Sequence, residues 1–535
     1  MTTHPLDRVR QVAKPGEEDH ALRLYLRHDL AAFTVLLAGE LLTAPFNRMH
    51  REIMARPKAH WRQRAHTRKV VDAAPRGGAK TLIAAWADVL HDIAYDLEAY
   101  ICMLSTSYDL AEDSVKAVRA VLVNPEDHPH FHHLYGPFRV EGGATDFVVH
   151  APRRAARGLR VKAFSLGGQI RGTKHQGIRP TKVIMDDMDH PTHVRSPLWR
   201  ETRWAFLTKD VAKVGQRGST FRMLGTVLHP DSLLARALAS PGWHATRWQA
   251  VIEWPVRMDL WKECERIWAN LRDPDREEAA HRFYLEHRVA MDAGAVVLWP
   301  EHESLWELMV QRWSDGIAAF ESEKQNNPHD PERQVFDIDS YARCRVEGRR
   351  IHAADGRSVS LRECVVGVWL DPAVGQQQGH DYSCVATVAR DPDGYRYVIG
   401  AQLRKEAPSR QRGRVWAHFE RHGPRARYGV ENNGFAVLFD EGFHRERQDR
   451  QKAGLPHALV VRGYPSTQNK EERISRLEPH AALGWLQFAE DLPGEFWAQM
   501  RSFPTAAHDD GPDAVERADW LASSTHMPTI TPGHL

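Results

Sequence analysis

The sequence predicts an α/β protein of two domains, the first built on a mainly parallel sheet and the second on a mixed sheet. In the first half, apolar runs of strand length alternate with segments of helical periodicity, as in a parallel sheet that helices cover on both faces. After about residue 364, three strand-like runs follow one another with turn residues between them, as in an antiparallel meander. A chain of 535 residues also exceeds the length of one ordinary core.

The composition of the chain limits the classes of protein to which it can belong. With 42% hydrophobic and 27% charged residues, the chain has the composition of a soluble globular protein, and its net charge of +2 does not by itself indicate a nucleic-acid partner. Five scattered cysteines without a CxxC pair exclude a zinc ribbon and a disulfide framework. No apolar run is long enough to cross a bilayer, and the N-terminus lacks the apolar region of a signal peptide. We therefore expect an intracellular protein with no membrane partner.

The predicted elements follow in order along the chain. Strands of the first domain are predicted at 69–74, 99–107, 181–187 and 222–228, with helices after the first two and a mostly helical stretch over 255–325. Strands of the second domain are predicted at 365–373, 384–391, 395–403 and 427–433, then at ALVVRGY and at the edge-like GWLQFAE. The predicted organisation is an N-terminal helical segment (1–45), a first domain (46–328), a linker (329–363), a second domain (364–525) and a tail (526–535).

The stretch 74-APRGGAKT-81 predicts a phosphate-binding loop between a strand and a helix. Such a loop needs a flexible backbone at a helix N-terminus, a lysine for the β- and γ-phosphates and a hydroxyl for Mg²⁺. Gly77 and Gly78 supply the flexible backbone, Lys80 the cation and Thr81 the hydroxyl. Alanine replaces the consensus glycine at both ends of the motif, at positions 74 and 79, and Ala79 is small enough for the loop to close.

Two later strands complete a predicted nucleotide site. VIMDD (183–187) is an apolar strand that ends in paired carboxylates, an arrangement that holds Mg²⁺ and aligns an attacking water. We assign Asp186 to the metal and Asp187 to the general base, with Asp189 as an alternative base. LGTVLH (224–229) ends in a Gly-Thr step that brings Thr226 near the γ-phosphate. The three segments together predict a P-loop NTPase domain that uses ATP and Mg²⁺.

Carboxylates of the second domain occur where a two-metal nuclease needs them. Asp371 ends the first strand of the meander, Glu431 ends the fourth strand, and the run HDDGPDA places Asp509, Asp510 and Asp513 at the start of the last helix. Two-metal sites need several carboxylates at one point. This order of elements predicts a ribonuclease H-like fold, in which the first and fourth strands are neighbours. The alternative for the last group is an N-cap cluster.

Several of these motifs resemble the large terminase subunit of tailed bacteriophages. The resemblance rests on PRGGAKT, on SLGGQIRGTKHQGIRPTKVIMDDMDH (165–190), on LGTVLHPDSLL (224–234) and, in the second domain, on LDPAVG, DYS, VENN, NKEERISRLEP and FPTAAHDDGPDA. It implies that Arg76 stabilises charge on the γ-phosphate. It also implies that Asp371, Glu431 and Asp510 are metal ligands, with Asp513 as a fourth.

Three further residues of the matching stretches have two interpretations each. Asp381 lies in the DYS stretch, where it is either an additional ligand or a structural turn residue. Lys470 and Arg473 lie in NKEERISRLEP, where they contact either the DNA backbone or nearby acids.

The resemblance implies a DNA-packaging enzyme with two activities. An N-terminal ATPase would move double-stranded DNA into a procapsid, and a C-terminal endonuclease, supported by Mg²⁺ or Mn²⁺, would cut concatemeric DNA. The implied partners are DNA, the portal protein, a small terminase subunit and further copies of the chain in a ring, all in the cytoplasm of a bacterial host. Two alternatives remain open: an ATP-dependent repair or recombination nuclease or helicase, and an inactive prophage remnant that binds DNA or portal.

Overall fold

A computed structural model describes residues 17–39, 42, 44–58, 66–152, 158–328, 335–373, 382–431, 436–464, 469–504 and 508–524. Within these residues the chain forms two compact units. Unit 1 consists of 17–256, 292–312 and 317–328, and unit 2 of 257–291, 313–316 and 335–524, each with the gaps given above. The helical stretch 257–291, which was predicted as part of the first domain, groups with unit 2. No helix of the described residues is both long and apolar enough to cross a membrane.

The elements are numbered here in chain order. The strands are β1 (Arg68–Ala73), β2 (Tyr100–Ser105), β3 (Arg139–Gly142), β4 (Asp146–His150), β5 (Leu159–Ser165), β6 (Lys182–Asp186), β7 (Thr220–Gly225), β8 (His244–Arg247), β9 (Val251–Glu253), β10 (Val296–Val297), β11 (Arg343–Glu347), β12 (Arg350–His352), β13 (Ser358–Ser360), β14 (Val365–Asp371), β15 (Ser383–Arg390), β16 (Arg396–Arg404), β17 (Arg427–Glu431), β18 (Val461–Tyr464) and β19 (Leu486–Ala489). The α-helices are α1 (Glu18–His28), α2 (Leu30–Ala38), α3 (Arg48–Lys58), α4 (Asp88–Ala94), α5 (Tyr108–Val123), α6 (Pro129–Tyr135), α7 (Pro197–Lys209), α8 (Leu233–Ala239), α9 (Met258–Trp268), α10 (Arg276–Met291), α11 (Leu305–Asp315), α12 (Ile317–Glu323), α13 (Pro408–His422), α14 (Ala436–Lys452), α15 (Lys470–Ser475), α16 (Leu477–Ala482), α17 (Gly494–Ser502) and α18 (Asp510–Ser523). A π-helical turn (Leu82–Ala87) leads into α4.

Unit 1 contains a mainly parallel sheet with the strand order β3-β4-β5-β2-β6-β7-β1-β8. The six neighbouring strands β5, β2, β6, β7, β1 and β8 pair in parallel, while β3 and β4 form an antiparallel edge. Adjacent residues of β2 alternate between two cores: Ile101 and Met103 pack in one, and Cys102 and Leu104 pack in the other. Both faces of the sheet are therefore buried, which explains why consecutive residues of β2 are apolar. The predicted mainly parallel sheet is confirmed.

The four strands predicted in the first half are present as β1, β2, β6 and β7, but β5 was not predicted. This strand lies inside the sheet, yet its sequence LRVKAFS contains two basic residues. Arg160 and Lys162 both pair with Asp146 on the neighbouring β4, at 2.6 and 3.1 Å. The charges are thus satisfied across the sheet, which the local pattern of the strand does not reveal.

Helices α1 and α2 belong to the core of unit 1. Leu22, Leu26 and Phe33 are buried in the same cluster as residues of β2 and of the segment after the phosphate loop. His91 of α4 bonds through Nε2 to the carbonyl of Leu26 at 3.2 Å. Residues 17–39, most of the predicted N-terminal segment, thus pack on the first domain.

Unit 2 contains a mixed sheet with the strand order β13-β12-β11-β19-β16-β15-β14-β17-β18. The meander β14-β15-β16 is antiparallel, and β14 pairs in parallel with β17. This arrangement confirms the predicted adjacency of the first and fourth strands of the domain. The predicted mixed sheet is confirmed as well.

Helix α18 packs directly on the meander, and glycine at position 367 makes this possible. A Cβ at Gly367 would lie 2.3 Å from the carbonyl oxygen of Ala518 on α18. The contact fixes the first turn of α18, with its acids, at the end of unit 2 where β14 terminates.

Two predictions for the second half were wrong in detail. The strand predicted as edge-like, β19, lies inside the sheet between β16 and β11. Its outer neighbour comes from the predicted linker, because residues 343–360 of that stretch form β11, β12 and β13. These three strands are short and rich in charged and polar residues, so they resemble a loop in local sequence.

Candidate active sites

The loop at 74–81 connects β1 to the π-helical turn. Gly77 has φ +84°, a conformation that glycine adopts without steric cost. A Cβ at Gly78 would lie 2.9 Å from the carbonyl oxygen of Pro75. Ala79 has φ +53°, which costs an L-residue about 1–2 kcal/mol. The loop thus needs its two glycines and stores strain at Ala79, where the consensus has glycine.

Lys80 links this loop to the end of β7. Its buried ammonium donates to the carbonyl oxygens of Ala74 and Pro75, at 3.3 and 3.1 Å, and to Thr226 Oγ1 at 2.9 Å. Burial lowers the pKa of Lys80, which Asp187 and Asp186 partly offset. The structure therefore brings together two of the residues predicted to contact the γ-phosphate.

Asp186 ends β6 beside Thr81, whose hydroxyl is predicted to bind Mg²⁺. The Thr81 hydroxyl hydrogen-bonds to its carboxylate, and burial together with the neighbouring Asp187 raises the pKa of Asp186 to about 6. Asp186 Oδ1 is buried and accepts no hydrogen bond from any described residue. A hydroxyl beside a carboxylate with a free, buried oxygen is a donor set that suits Mg²⁺.

The structure gives Asp187 and Asp189 different environments. Asp187 is exposed, has φ +42°, and its N–H donates to the carbonyl of Leu224 at 3.0 Å. Asp189 is buried, and its two carboxylate oxygens accept the N–H groups of Leu233 and Leu234, at 3.1 and 3.0 Å. Both oxygens of Asp189 therefore cap helix α8, whereas Asp187 is the exposed acid of the two.

A cavity of about 240 Å³ connects these groups, and Arg76, Lys80, Asp187 and Thr226 all line it. The Arg76 side chain is two-thirds exposed, and its guanidinium pairs with Glu323 at 2.7 Å. The cavity is thus lined by cations of the loop and by a carboxylate directly after β6, as a site for a polyphosphate with a bound Mg²⁺ requires.

Residues after α12 also hold the loop, and the sequence analysis did not identify them. Lys324 is buried, and its ammonium donates to the Arg76 carbonyl at 3.2 Å and pairs with Glu303 at 2.7 Å. Asn326 Oδ1 accepts the N–H of Val227, at 2.8 Å, just beyond β7. The polar run EKQNN directly after an apolar helix was the available signal, because charged residues are buried only where they are paired.

The predicted carboxylates of unit 2 converge at the ends of β14, β17 and the start of α18. The paired register of β14 and β17 ends at Leu370 and Val430, and Asp371 and Glu431 are the next residue on each strand. Burial and the nearby charges of Asp513, Asp510 and Glu431 raise the pKa of Asp371 well above its ordinary value. A divalent cation would offset both the burial and the repulsion, so this set of oxygen donors suits Mg²⁺ or Mn²⁺.

Two basic residues of α15 lie among these acids. Lys470 pairs with Asp509 at 2.7 Å and with Asp513 at 3.1 Å. Arg473 is buried and pairs with Asp513 at 2.8 Å and also with Glu516. Of the two alternatives for Arg473, the structure has the contact with acids, since a buried guanidinium does not reach a DNA backbone.

These ion pairs affect the predicted ligand set. Within the described ranges, no three His, Cys, Asp or Glu side chains are arranged to coordinate a metal. Asp513 pairs with Lys470 at 3.1 Å and with Arg473 at 2.8 Å. Asp510 lies at the start of α18, 3.9 Å from His508. Asp381 falls outside the described residues.

A family model matches part of unit 2. Residues 368–526 match the family model described as the terminase RNaseH-like domain. This range begins within β14 and includes Asp371, Glu431, Asp510 and Asp513. The match confirms the ribonuclease H-like fold of this part of the chain and the resemblance to terminases there.

Several solved structures are similar to the chain at low sequence identity. A large terminase from a thermophilic bacteriophage covers 89% of this chain and 97% of its own, with 10% identity and a TM-score of 0.41. The large terminase of bacteriophage HK97 covers 92% and 99%, with 12% identity and a TM-score of 0.32. The terminase nuclease of the thermophilic phage G20c covers 36% and 100%, with 16% identity and a TM-score of 0.24. A comparison with curated proteins finds no match.

Proposed function

We propose that this chain is the large terminase subunit of a tailed bacteriophage, which moves double-stranded DNA into a procapsid with ATP and cuts concatemeric DNA. The observation that carries the proposal is the presence of two sites on one chain. A phosphate loop with paired strand-end acids lies in unit 1, and a carboxylate cluster lies in the part of unit 2 that matches the terminase domain.

The proposed ATPase chemistry assigns one task to each residue of the cavity. The backbone of residues 77–80 and the Lys80 ammonium bind the phosphates, and Arg76 stabilises the charge that develops on the γ-phosphate. Thr81 and Asp186 hold Mg²⁺. Asp187 orients the attacking water and accepts its proton. Thr226 contacts Lys80 and so connects β7 to the phosphate end of the site.

The proposed nuclease uses Asp371, Glu431 and Asp510, with Asp513 as a fourth acid, to hold divalent cations. Bound cations would stabilise the attacking and leaving oxygens of the cut phosphodiester. The strand ends hold Asp371 and Glu431 in a fixed relation, and α18 brings Asp510 to them. Lys470 neutralises part of the negative charge and thereby lowers the repulsion that a DNA phosphate meets.

The remaining parts of the proposal concern partners. We propose that DNA is held mainly through its phosphates, because packaging has to accept every sequence. A ring of subunits on the portal, assisted by a small terminase subunit, in the cytoplasm of a bacterial host, is the assembly that this function implies.

Plasmid cleavage tests the nuclease. The full chain is incubated with supercoiled plasmid and Mn²⁺ or Mg²⁺, beside Asp371→Asn and a control, Asp393→Asn, whose side chain is exposed in a turn of the same unit. We expect metal-dependent cutting by the wild type and the control, and a loss of at least about 100-fold in Asp371→Asn. Absence of cutting by folded wild type, or equal cutting by Asp371→Asn, contradicts the nuclease assignment.

ATP hydrolysis and DNA encapsidation test the motor. Lys80→Ala should abolish ATP hydrolysis, whereas Lys116→Ala, on the exposed face of α5, should leave it unchanged. Protection of DNA from nuclease in procapsids that carry the matching portal separates a packaging enzyme from a repair nuclease. Hydrolysis and cutting without any portal-dependent protection would favour the repair or recombination alternative.

A further inference from the structure

Four buried charges, none of them among the residues assigned to ATP, meet on three elements of unit 1. Lys182 of β6 pairs with Asp88 and Asp92 of α4, both at 2.5 Å, and Arg222 of β7 pairs with Asp88 at 2.7 Å. The exposed fraction of each side chain is 3% or less. This group is called the ion cluster below.

The ion cluster extends to a fourth element. Arg222 also donates to the carbonyl oxygen of Ile53 on α3, at 2.9 Å. Asp88 and Asp92 are one helical turn apart, so both face the sheet from the same side of α4. With two cations and two carboxylates, the ion cluster carries no net charge.

The three elements that the ion cluster joins also carry the proposed ATP residues. Lys182 lies four residues before Asp186 on β6, and Arg222 lies four residues before Thr226 on the chain that continues β7. Helix α4 continues the helical segment that begins directly after Lys80 and Thr81. At the strand rise of about 3.3 Å per residue, the backbone of Lys182 and of Arg222 therefore lies about 13 Å from Asp186 and Thr226.

Stability alone does not explain these charges. Well-packed apolar side chains usually stabilise a core at least as much as a buried ion pair does, because burial removes the hydration of both charges. What ion pairs add is a single geometry: a carboxylate and an ammonium meet in one register, whereas apolar faces tolerate small shifts. Here that register relates β6 to β7 and both strands to α4.

We propose that Lys182, Asp88, Asp92 and Arg222 are positioning residues for ATP hydrolysis. They hold α4, β6 and β7 in one register, so that Lys80, Asp186 and Thr226 meet the γ-phosphate together. This inference rests on the proposed ATPase function. The phosphate loop itself is held by its own backbone and by Lys324, so nucleotide affinity depends less on the ion cluster than the rate of hydrolysis does.

The test replaces one ion pair by a neutral pair. Lys182→Met/Asp92→Asn removes one positive and one negative charge and leaves Asp88 paired with Arg222. The matched control is Arg160→Met/Asp146→Asn, which neutralises a pair on β5 and β4 of the same sheet, joined at 2.7 and 2.6 Å. For each full-length protein, circular dichroism and the thermal transition report folding, a fluorescent ATP analogue reports affinity, and DNA-stimulated hydrolysis gives kcat and KM.

We expect the ion-cluster variant to fold, to bind the analogue within a few-fold of wild type, and to lose about 10- to 100-fold in kcat, because small misplacements of reacting groups cost that much. The control should keep its kcat within about 2-fold, since its strands carry none of the assigned residues. Unchanged kcat in a folded ion-cluster variant overturns the proposal, since a structural role alone would alter only the thermal transition.

Two further comparisons keep the outcomes distinct. If the neutral variant does not fold, Asp92→Glu takes its place: it keeps the charge but lengthens the side chain, and kcat should still fall while the fold remains. If wild type itself hydrolyses no ATP with DNA present, the proposed ATPase function fails. If wild type hydrolyses ATP and both ion-cluster variants equal it, only the positioning role fails.

Discussion

Replacing Asp187 and Asp189 one at a time by asparagine separates two acids that the sequence leaves as rivals. Asparagine keeps the shape of each side chain and removes only the charge and one acceptor oxygen. Both acids line the cavity, but the two oxygens of Asp189 accept N–H groups at the start of α8, whereas Asp187 is exposed. We therefore expect Asp189→Asn to affect folding and Asp187→Asn to affect hydrolysis.

The size of the folding effect follows from the two hydrogen bonds of Asp189. Each is a bond from a helix N–H group to a buried carboxylate, and hydrogen bonds to charged groups contribute about 1.5–3 kcal/mol. In Asp189→Asn one oxygen still accepts, while the amide NH₂ faces the other N–H group. Burial raises the pKa of Asp189 and so offsets part of the gain from the charge. The expected loss in the free energy of unfolding is about 1–3 kcal/mol.

Asp187→Asn should leave stability within about 0.5 kcal/mol of wild type, since the side chain is exposed. Asparagine also tolerates the positive φ of this position. If Asp187 is the general base, kcat for ATP hydrolysis should fall by about 10²- to 10⁴-fold.

Urea unfolding and steady-state ATP hydrolysis, both on the full chain, measure the two effects. For Asp189→Asn, kcat of the folded protein should remain within about 3-fold of wild type, because both oxygens of Asp189 already accept N–H groups of α8. The assignment is refuted if Asp189→Asn keeps full stability and loses hydrolysis while Asp187→Asn hydrolyses normally.

Three further predictions concern the fold that supports the sites. Ala79→Val should lower the free energy of unfolding by at least about 1 kcal/mol in urea titrations, and Ala79→Gly should not lower it, because φ is +53°. Gly367→Ala should cost about 1–3 kcal/mol and reduce plasmid cleavage, because its Cβ would overlap the Ala518 carbonyl. The control Gly413→Ala, in α13 with open space around its Cβ, should cost nothing. His418 is buried, and burial lowers its pKa to about 4, below the 6.5 of the unfolded chain. Its stabilising contribution is complete above pH 6.5 and is lost as pH falls towards 4. Between pH 7 and pH 5, the free energy of unfolding measured in urea titrations should therefore fall by about 2 kcal/mol less in His418→Gln than in wild type. Equal falls in the two proteins would contradict this.

The parts of the fold that were predicted share one property: their signal is local. The strands β1, β2, β6 and β7 contain buried apolar residues next to one another, although β6 and β7 also bury Lys182 and Arg222. In β5, by comparison, apolar residues alternate with two basic residues whose charges are satisfied by Asp146 on a neighbouring strand. Such a strand is recognisable only once its partner is known, and the same holds for β11 to β13.

The residues of the candidate sites also divide into those with a local sequence signal and those without one. Lys80, Thr81 and Asp186 follow from the motifs, because a phosphate loop and an acidic strand end have a fixed spacing within their own elements. The local sequence does not distinguish Asp189 from Asp187 as an acid after β6. Only the position of α8 shows that the Asp189 oxygens accept hydrogen bonds from that helix. Lys324 lies far along the chain from the loop that it holds.

Lys470 and Arg473 show how a crowded set of acids is accommodated. Asp509, Asp513 and Glu516 lie along the first turns of α18, and like charges at this spacing destabilise a helix. The two cations of α15 pair with all three, so they hold α18 in place while they neutralise it. Asp371, at the end of β14, is buried near Asp513, Asp510 and Glu431, and burial with these charges raises its pKa although Lys470 offsets part of the rise. The acids that the helix cations pair with are therefore structural in part, and Asp371 is an acid whose charge a bound cation would stabilise.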